Sequence, residues 1–537
     1  MKRRDFIKNI AAAIGAAPVI RYGAGLSVFT ASNAMASIPS FTDYKALVVI
    51  QLTGGNDAMN MLTPTGATHS DYKAVRATIA IENNDLISQL NGKIIGSNYY
   101  DASSGNAYDT TATDTDTSAW GVTPEDDLGV MYRQGSYHIS DASQGLGINA
   151  YMPEIADLYQ KGVVSMVSNI GTLVEPITKT EIENKTKTLP LFLFAHNHQQ
   201  RAIQTAKPQV LATTGWAGKV ADDWNGINNP VGLNISYSGT NRMLTGSLTS
   251  GLAMPTSTPT SFENLNLNND GTVVGQGYED LAQALKNNTN NNNIFKKYYN
   301  NISDKAGSLS TLLSNAWNNS PDFSIFTAKN SYGQTLFTAP TADKTFNNSG
   351  IYSSGLKESF FKQLEAAAKM IKIAKDDLNY PRQIFYISLG GFDSHSGQIA
   401  DQSELLRALS LAMSDFYKAT EEMGVKENIL TLTTTEFGRT LKANSDGCDH
   451  GWASHSMIMC GDSKFNGGKI FGDVLDDLSL SGTAMYPENT ERGRLIPTTA
   501  FDQIYAPALK WMGATNDTIN TALPNNTNFS NLTFFSA

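Results

Sequence analysis

Four short apolar segments, each ending in glycines or polar side chains, constrain what this 537-residue chain can fold into. Apolar, β-branched segments of this length are typical of strands buried on both faces of a parallel sheet. Amphipathic segments with helical spacing lie between them, and a helix feeding a strand is the repeating unit of such a sheet. We therefore predict an α/β fold with a mostly parallel central sheet flanked by helices. The predicted strands are Lys45–Thr53, Gly162–Ser168, Gln383–Leu389 and Asn428–Thr434, and the predicted helices include Ala150–Gln160, Leu356–Leu378 and Gln402–Met423.

Three of the predicted strands lead into a carboxylate. Asp57 follows the first strand, Asp393 follows the third and Glu436 follows the fourth. The carboxyl ends of parallel strands meet at one edge of a sheet, and open α/β proteins place their sites there. The recurrence of carboxylates at strand ends therefore predicts a functional site at this edge.

Histidine is concentrated near the same strand ends. A single histidine is more often a structural residue than a ligand, so the prediction depends on the whole group. Carboxylates and neutral imidazoles together are a ligand set for a divalent transition metal such as zinc. We predict that one or two such ions are held at this edge of the sheet. The predicted ligands are Asp57, Asp393, His395, Asp449, His450 and His455.

Two further side chains suit chemistry on an anion. Arg439 can clamp phosphate or sulfate oxygens, because a guanidinium group pairs with them bidentately. A structural ion pair with Glu436 is the equal alternative for Arg439. His196 stands at the start of a predicted helix, where it can contact an anion.

Both cysteines of the chain, Cys448 and Cys460, lie within the stretch that carries the last histidines. In an oxidising compartment they can form a disulfide, and free buried thiols are the equal alternative. No paired-cysteine spacing supports a zinc-thiolate role.

The N-terminus has the features of an export signal. The paired arginines Arg3 and Arg4 precede an Ala/Ile/Gly-rich segment, and the small-residue sequence Ala34-Met35-Ala36 is a cleavage signature. We predict a twin-arginine signal over residues 1–36, with the export machinery as a partner, a periplasmic or secreted mature protein, and no stable membrane span after cleavage. Removing this segment changes the net charge from −10 to −14, which disfavours nucleic acid and anionic lipid as partners.

The remaining residues, 37–537, are predicted to form one elaborated domain with two insertions. The first covers about 96–145 and is rich in Asp, Thr, Ser and Gly, so we expect a solvated surface loop. The second covers about 256–348 and contains an Asn tract too polar to pack alone, so we expect a peripheral insertion of helices and loops. A disordered spacer between two domains is the alternative for the second segment.

Eight motifs carry a family resemblance, and they span nearly all of the chain after residue 36. They are LTGGNDAMN (52–60), GTLVEP (171–176), FAHNHQQ (194–200), GGFDSHSGQ (390–398), TEFGRT (435–440), DHGWASH (449–455), GGKIFG (467–472) and RGRLIPTTAFDQ (492–503). With the paired-arginine start, this series resembles the twin-arginine-exported bacterial proteins catalogued as domain of unknown function 1501. That family in turn is similar to the alkaline phosphatase and sulfatase superfamily.

The resemblance implies an alkaline phosphatase/sulfatase-like α/β core and a metal-centred site that transfers phosphoryl or sulfuryl groups. By motif, Asp57 resembles the superfamily's first-strand metal aspartate. The pair Asp393 and His395, and the group Asp449, His450 and His455, resemble its late ligand clusters. The implied function is an exported metal-dependent hydrolase of small phosphate or sulfate esters, in which Glu436 orients the ligands.

One departure concerns the attacking group. The family's motif usually has Ser-His where this chain has Ala195-His196, and alanine cannot act as a nucleophile. Either Thr172 or a metal-activated hydroxide attacks, or the protein is a catalytically silent binding or surface-assembly protein on a phosphatase-like scaffold. A structural metal centre without an open coordination position is a third reading.

Overall fold

The computed structural model describes residues 39–86, 135–139, 145–259, 309, 311–320, 326–331, 333–340 and 356–536. Within these residues the chain forms a nine-stranded central sheet, a three-stranded sheet and a two-stranded sheet. The strands are β1 (Lys45–Thr53), β2 (Leu62–Pro64), β3 (Ser136–His138), β4 (Leu146–Asn149), β5 (Val164–Gly171), β6 (Asn234–Ser236), β7 (Leu252–Ala253), β8 (Arg382–Gly390), β9 (Ile429–Thr435), β10 (Arg439–Ala443), β11 (Cys448–His450), β12 (Ser454–Cys460), β13 (Ile470–Phe471) and β14 (Thr499–Ala500).

The central sheet has the strand order β13-β5-β12-β9-β1-β8-β6-β7, and β14 pairs with β5. Its pairings are parallel except those of β12, which runs antiparallel to both β5 and β9. Strand β1 lies between β8 and β9, with Thr53 opposite Gly390 and Leu52 opposite Thr435. The carboxyl ends of these three strands therefore share one edge. The predicted α/β fold and its four strands are confirmed, with small shifts at the strand ends.

The apolar run of β1 is continuous because both faces of the strand are covered. Ala46, Val48 and Ile50 face one hydrophobic core, whereas Leu47 and Val49 face another. A strand with a single buried face would alternate apolar and polar residues instead. Successive side chains of β1 enter the two cores in turn, which explains why apolar and polar residues do not alternate along this strand.

Helices cover both faces of the central sheet. They are α1 (Ala58–Met61), α2 (His69–Arg76), α3 (Pro153–Gln160), α4 (Lys179–Glu183), α5 (His196–Thr205), α6 (Trp216–Asp223), α7 (Glu358–Asp376), α8 (Gln398–Glu422), α9 (Asp502–Trp511) and α10 (Asn516–Ala522). Helices α3, α7 and α8 pack in the first core, and α6, α9 and α10 pack in the second. No helix in the described part of the chain is long and apolar enough to cross a membrane.

The two predicted insertions fall largely outside the described residues, as does the predicted signal over residues 1–36. At the end of the first insertion, β3 pairs with β4, and β4 pairs with β2 in the three-stranded sheet. Residues 311–319, within the second insertion, are helical. The first insertion therefore ends in ordered strand structure rather than in a surface loop alone.

Helix α8 carries ionisable side chains into the first core. Arg407 donates hydrogen bonds of 2.6 and 2.9 Å to the carboxylate of Glu154 on α3. Burial raises the pKa of Glu154, but the charge and hydrogen bonds of Arg407 outweigh it and hold the pKa below its usual range. Asp415 makes no ion pair with the residues that the structure describes: its Oδ2 accepts the Phe337 N–H at 2.8 Å, and its Oδ1 has no partner among the described atoms. Burial raises the pKa of Asp415 to about 8.

We expect Asp415→Asn to remove a pH dependence of stability. The folded-state pKa lies above the ordinary aspartate value of 3.8, so the folded chain keeps a proton that the unfolded chain releases. Stability is therefore lost as pH rises from about 4 to 8, at up to about 1.4 kcal/mol per pH unit. Urea unfolding at pH 5 and pH 8 measures this difference, with Asp401→Asn, an exposed position on the same helix, as the control. Equal pH slopes in wild type and Asp415→Asn would contradict the assignment.

Candidate metal centre

Loops after β1 and β8 approach each other closely at the shared edge of the sheet. Gly54 has φ +120°, and a Cβ on it would stand 2.4 Å from the backbone nitrogen of Asp393. Only glycine allows both this backbone conformation and this approach. The glycine therefore brings the loop after β1 against the carboxylate that follows β8.

Three imidazoles converge on Asp393 at this edge. His450 Nε2 lies 3.1 Å from His196 Nε2, 3.0 Å from His395 Nε2 and 3.3 Å from Asp393 Oδ1. Asp393 Oδ1 lies 3.4 Å from His196 Nε2 and 3.2 Å from His395 Nε2. The four residues come from α5, the loop after β8, and β11, which meet only in the folded chain.

Each imidazole is oriented through its other nitrogen. His450 Nδ1 donates to the carbonyl oxygen of Phe194 at 2.8 Å, so the His450 Nε2 carries a lone pair when the ring is neutral. His196 Nδ1 lies 2.9 Å from Glu436 Oε1, and His395 Nδ1 lies 3.3 Å from Asp449 Oδ1. Metal-bound histidines have this arrangement, in which an outer acceptor fixes the tautomer.

The donor set fits a cation. Three nitrogen lone pairs and a carboxylate oxygen facing one another repel unless a proton or a metal ion lies between them. Among the described residues, His196, Asp393 and His450 form a group that could hold a metal ion, with separations of 3.1–3.4 Å between their ligand atoms. Donors bound about 2.0–2.1 Å from one ion at tetrahedral angles stand roughly 3.3–3.4 Å apart. The cluster therefore suits zinc or a similar divalent ion.

The local electrostatics favour the metal-binding forms of Asp393 and His450. Burial raises the pKa of Asp393, but the hydrogen bond and charge of Arg439 outweigh it and lower the pKa to about 2. Burial lowers the pKa of His450, which favours the neutral ring. The hydrogen bond that His196 donates to Glu436 raises the pKa of His196 against the effect of burial, which favours the protonated ring. The side chains of Asp393 and His395 are 49% and 46% exposed, so the cluster is open to solvent.

Arg439 is buried, and its guanidinium group donates hydrogen bonds to the backbone around the cluster. Its side chain is fully enclosed, and every nitrogen of its guanidinium group donates a hydrogen bond within the protein. An anion clamp needs free guanidinium N–H groups, and here they bind protein oxygens. The acceptors are the carbonyl oxygens of Gly54, Gly55, Phe392 and Cys448 and the Oδ1 atom of Asp393.

Asp57 has other partners than the imidazoles. Its carboxylate accepts from the Arg76 guanidinium group and from Gln398 Nε2, and it caps α1 through the Met59 N–H at 3.2 Å. Asp57 and Arg76 are both almost completely buried. Asp57 is not among the donors that converge with His450, and its role as a ligand stays a prediction.

His455 lies on β12 as a buried side chain, 2% exposed. Its Nδ1 accepts the Asn169 N–H at 3.0 Å, and burial lowers its pKa to about 3, so the ring is neutral. Thr172, predicted as a possible nucleophile, is also buried, and its hydroxyl donates to Gln199 Oε1 at 2.6 Å. Neither side chain belongs to the group of converging donors.

The sequence predicts an anion contact for His196 and does not indicate a role for Arg492 and Arg494, the two arginines of the last motif. Arg492 Nη1 donates to Asp449 Oδ2 at 2.9 Å, and Arg494 Nε donates to the His450 carbonyl oxygen at 3.0 Å. They place positive charge beside the open cluster. Nothing in the local sequence around Arg492 and Arg494 indicates that these residues contact β11.

The fold and this cluster define an α/β protein with a candidate metal centre at the carboxyl ends of its central strands. A family model described as "Protein of unknown function (DUF1501)" matches residues 338–481, which supports the resemblance to that family. No curated protein matches the chain.

Two solved structures show a distant likeness to this chain. The "Crystal structure of Ps i-CgsB in complex with k-i-k-neocarrahexaose" has 10% identity and a TM-score of 0.28, covering 69% of this chain and 68% of that one. The "Crystal structure of Ps i-CgsB" has 10% identity and a TM-score of 0.29, covering 71% of each chain. Neither likeness is close enough to carry an argument about this protein.

Cys448 and Cys460 are both free and buried, and burial raises the pKa of each thiol to about 12.

We expect the bound metal to depend on His196 and not on His198, two residues further along α5. The His198 ring packs against the Phe192 ring, with 4.2 Å between the ring centroids, and His198 is not among the converging donors. His196→Ala should lose most of the bound metal, and Glu436→Gln should lower metal affinity by about 10–100-fold because Glu436 orients the ring. Elemental analysis after gel filtration measures metal per chain. Equal metal loss in His198→Ala, or no metal in the wild type, would contradict the assignment.

We expect Ala195→Ser to stabilise the protein. Ala195 is the N-cap of α5, with extended backbone and no side-chain hydrogen bond to the first turn. A serine hydroxyl at an N-cap accepts a backbone N–H, and this contribution is typically about 1 kcal/mol. Thermal and urea unfolding measure the gain, with Ala195→Val as a control that cannot cap. An unchanged free energy of unfolding would contradict this prediction and show that the backbone N–H groups of the first turn already have hydrogen-bond acceptors.

Proposed function

We propose that the protein is an exported metal-dependent hydrolase of phosphate or sulfate esters. The convergence of three imidazole Nε2 atoms on Asp393 carries the proposal, because each ring is already oriented by an outer acceptor. The exposure of Asp393 and His395 supports an open site, which a structural metal centre does not need. The predicted twin-arginine signal supports export as a folded protein.

Positive charge beside the cluster favours an anionic ester. The Arg494 guanidinium lies 3.9 Å from the centre of the Phe194 ring, and Arg492 is 47% exposed. The protein as a whole is acidic, so these arginines form a local exception. Charge of this kind attracts an anionic group to the cluster and stabilises negative charge that develops during reaction.

When bound, a divalent metal ion would supply Lewis-acid chemistry and polarise an ester oxygen. His196, His450 and Asp393 would hold it, with His395 beside them, and Glu436 would keep the His196 ring in its donor tautomer. Arg439 would keep Asp393 ionised and in place. We assign the attack to water, because Ala195 has no hydroxyl and the Thr172 hydroxyl is buried and bound to Gln199.

A catalytically silent binding protein on the same scaffold is the second candidate. The observation that favours it is Ala195, which leaves the start of α5 without a hydroxyl beside the His196 ring. In this case the metal and its donors would bind a ligand without turnover.

Turnover of p-nitrophenyl phosphate and p-nitrophenyl sulfate by the metal-loaded protein separates the two candidates. We expect wild type to hydrolyse one of these esters and His450→Ala to lose at least about 100-fold in kcat/KM, since the Nε2 donor is removed. His198→Ala should retain the wild-type rate. Metal-loaded wild type that turns over neither ester, while Ala195→Ser does, would overturn the proposal and favour the binding protein.

A further inference from the structure

A polar cavity of about 610 Å³ lies along α5, beside the candidate metal centre. Gln200 and Gln204 line it, and they follow His196 at intervals of four residues. Residues at this spacing share one face of a helix, and each interval advances about 6 Å along the axis. Thr53, at the end of β1, also lines the cavity. The cavity therefore begins about one helical turn from a metal donor.

Hydroxyl and amide groups dominate the walls of this cavity. Thr53 Oγ1 lies 3.0 Å from Ser388 Oγ, and Tyr386 presents a phenol whose pKa burial raises to about 12. The Tyr386 phenol is protonated at neutral pH, as an ordinary tyrosine is, and can donate a hydrogen bond. No carboxylate is among the lining residues that the structure describes. Such a lining offers both donors and acceptors to the hydroxyl groups of a polyol.

Arg242 supplies positive charge to the cavity and has no carboxylate partner in the described part of the chain. Burial lowers the pKa of Arg242, and the nearby charge of Arg201 lowers it further. Arg201 Nε is buried and has no hydrogen-bond partner among the described residues. Two guanidinium groups near each other without counterions repel, and an anion beside them would relieve this repulsion.

We propose that the cavity binds a sugar or similar polyol that carries an anionic group. Arg242 pairs with the anion, Arg201 adds to the positive potential, and the amides of Gln200 and Gln204 contact hydroxyl groups. The binding site is separate from the metal donors. Only its role in choosing the ester that reaches the metal centre depends on the proposed function.

Titration of the full-length folded protein with D-glucuronate, glucose and acetate, followed by NMR, tests this proposal. Glucuronate combines hydroxyl groups with a carboxylate and has no phosphate or sulfate ester to hydrolyse. We expect it to bind more tightly than either glucose or acetate. Arg242→Gln should weaken glucuronate binding at least about tenfold, since a charge-assisted pair is lost, with bound metal per chain unchanged.

Three further variants sharpen the test. Lys185→Gln removes a positive charge outside the cavity lining and should leave binding unchanged. Gln200→Ala should weaken glucuronate binding and leave acetate binding unaffected. His450→Ala should lose metal and still bind glucuronate, so that failure of the hydrolase proposal leaves the cavity proposal standing. Equal binding of glucuronate and acetate, equal binding by Arg242→Gln and wild type, or loss of glucuronate binding in His450→Ala would overturn the proposal.

Discussion

The buried guanidinium group of Arg439 joins the loops on which the candidate metal centre depends. It binds carbonyl oxygens after β1 and β8 and in β11, and it also binds Asp393. A buried cation with one carboxylate partner and several carbonyl acceptors fixes loop positions because each lost hydrogen bond would leave a buried polar group unpaired. Asp393 can thus stay ionised and half-exposed among three imidazoles.

The outer hydrogen bonds of the imidazoles determine what the cluster can do. Glu436 is almost fully buried and also accepts the Gly54 N–H at 2.8 Å. Glu436 therefore links the His196 ring of α5 to the backbone just after β1. Phe437 packs against the rings of His196 and His450, with centroids 4.7 and 4.8 Å away. Rigid donors of this kind bind an ion without reorganisation, which favours both affinity and reactivity.

The fold and part of the site follow from local sequence patterns. Apolar runs predict β1 and β8, and Asp393, three residues after β8, lies where the three imidazoles converge. Pairing across the chain is different: Asp57 meets Arg76, which lies on α2, and nothing in the spacing predicts that contact. Whether Arg439 binds an anion or has a structural role likewise depends on contacts that are distant in sequence, such as those with the carbonyl oxygens of Gly54 and Gly55.

The hydrogen bond from Arg439 to the carbonyl oxygen of Gly54 spans 385 residues of sequence. Contacts this distant close a long loop of chain, and the entropy of that closure opposes their formation. A chain in which these loops are not yet joined has the separate histidines but not their common centre. The assembled donor set is therefore a property of the whole fold and not of any one segment.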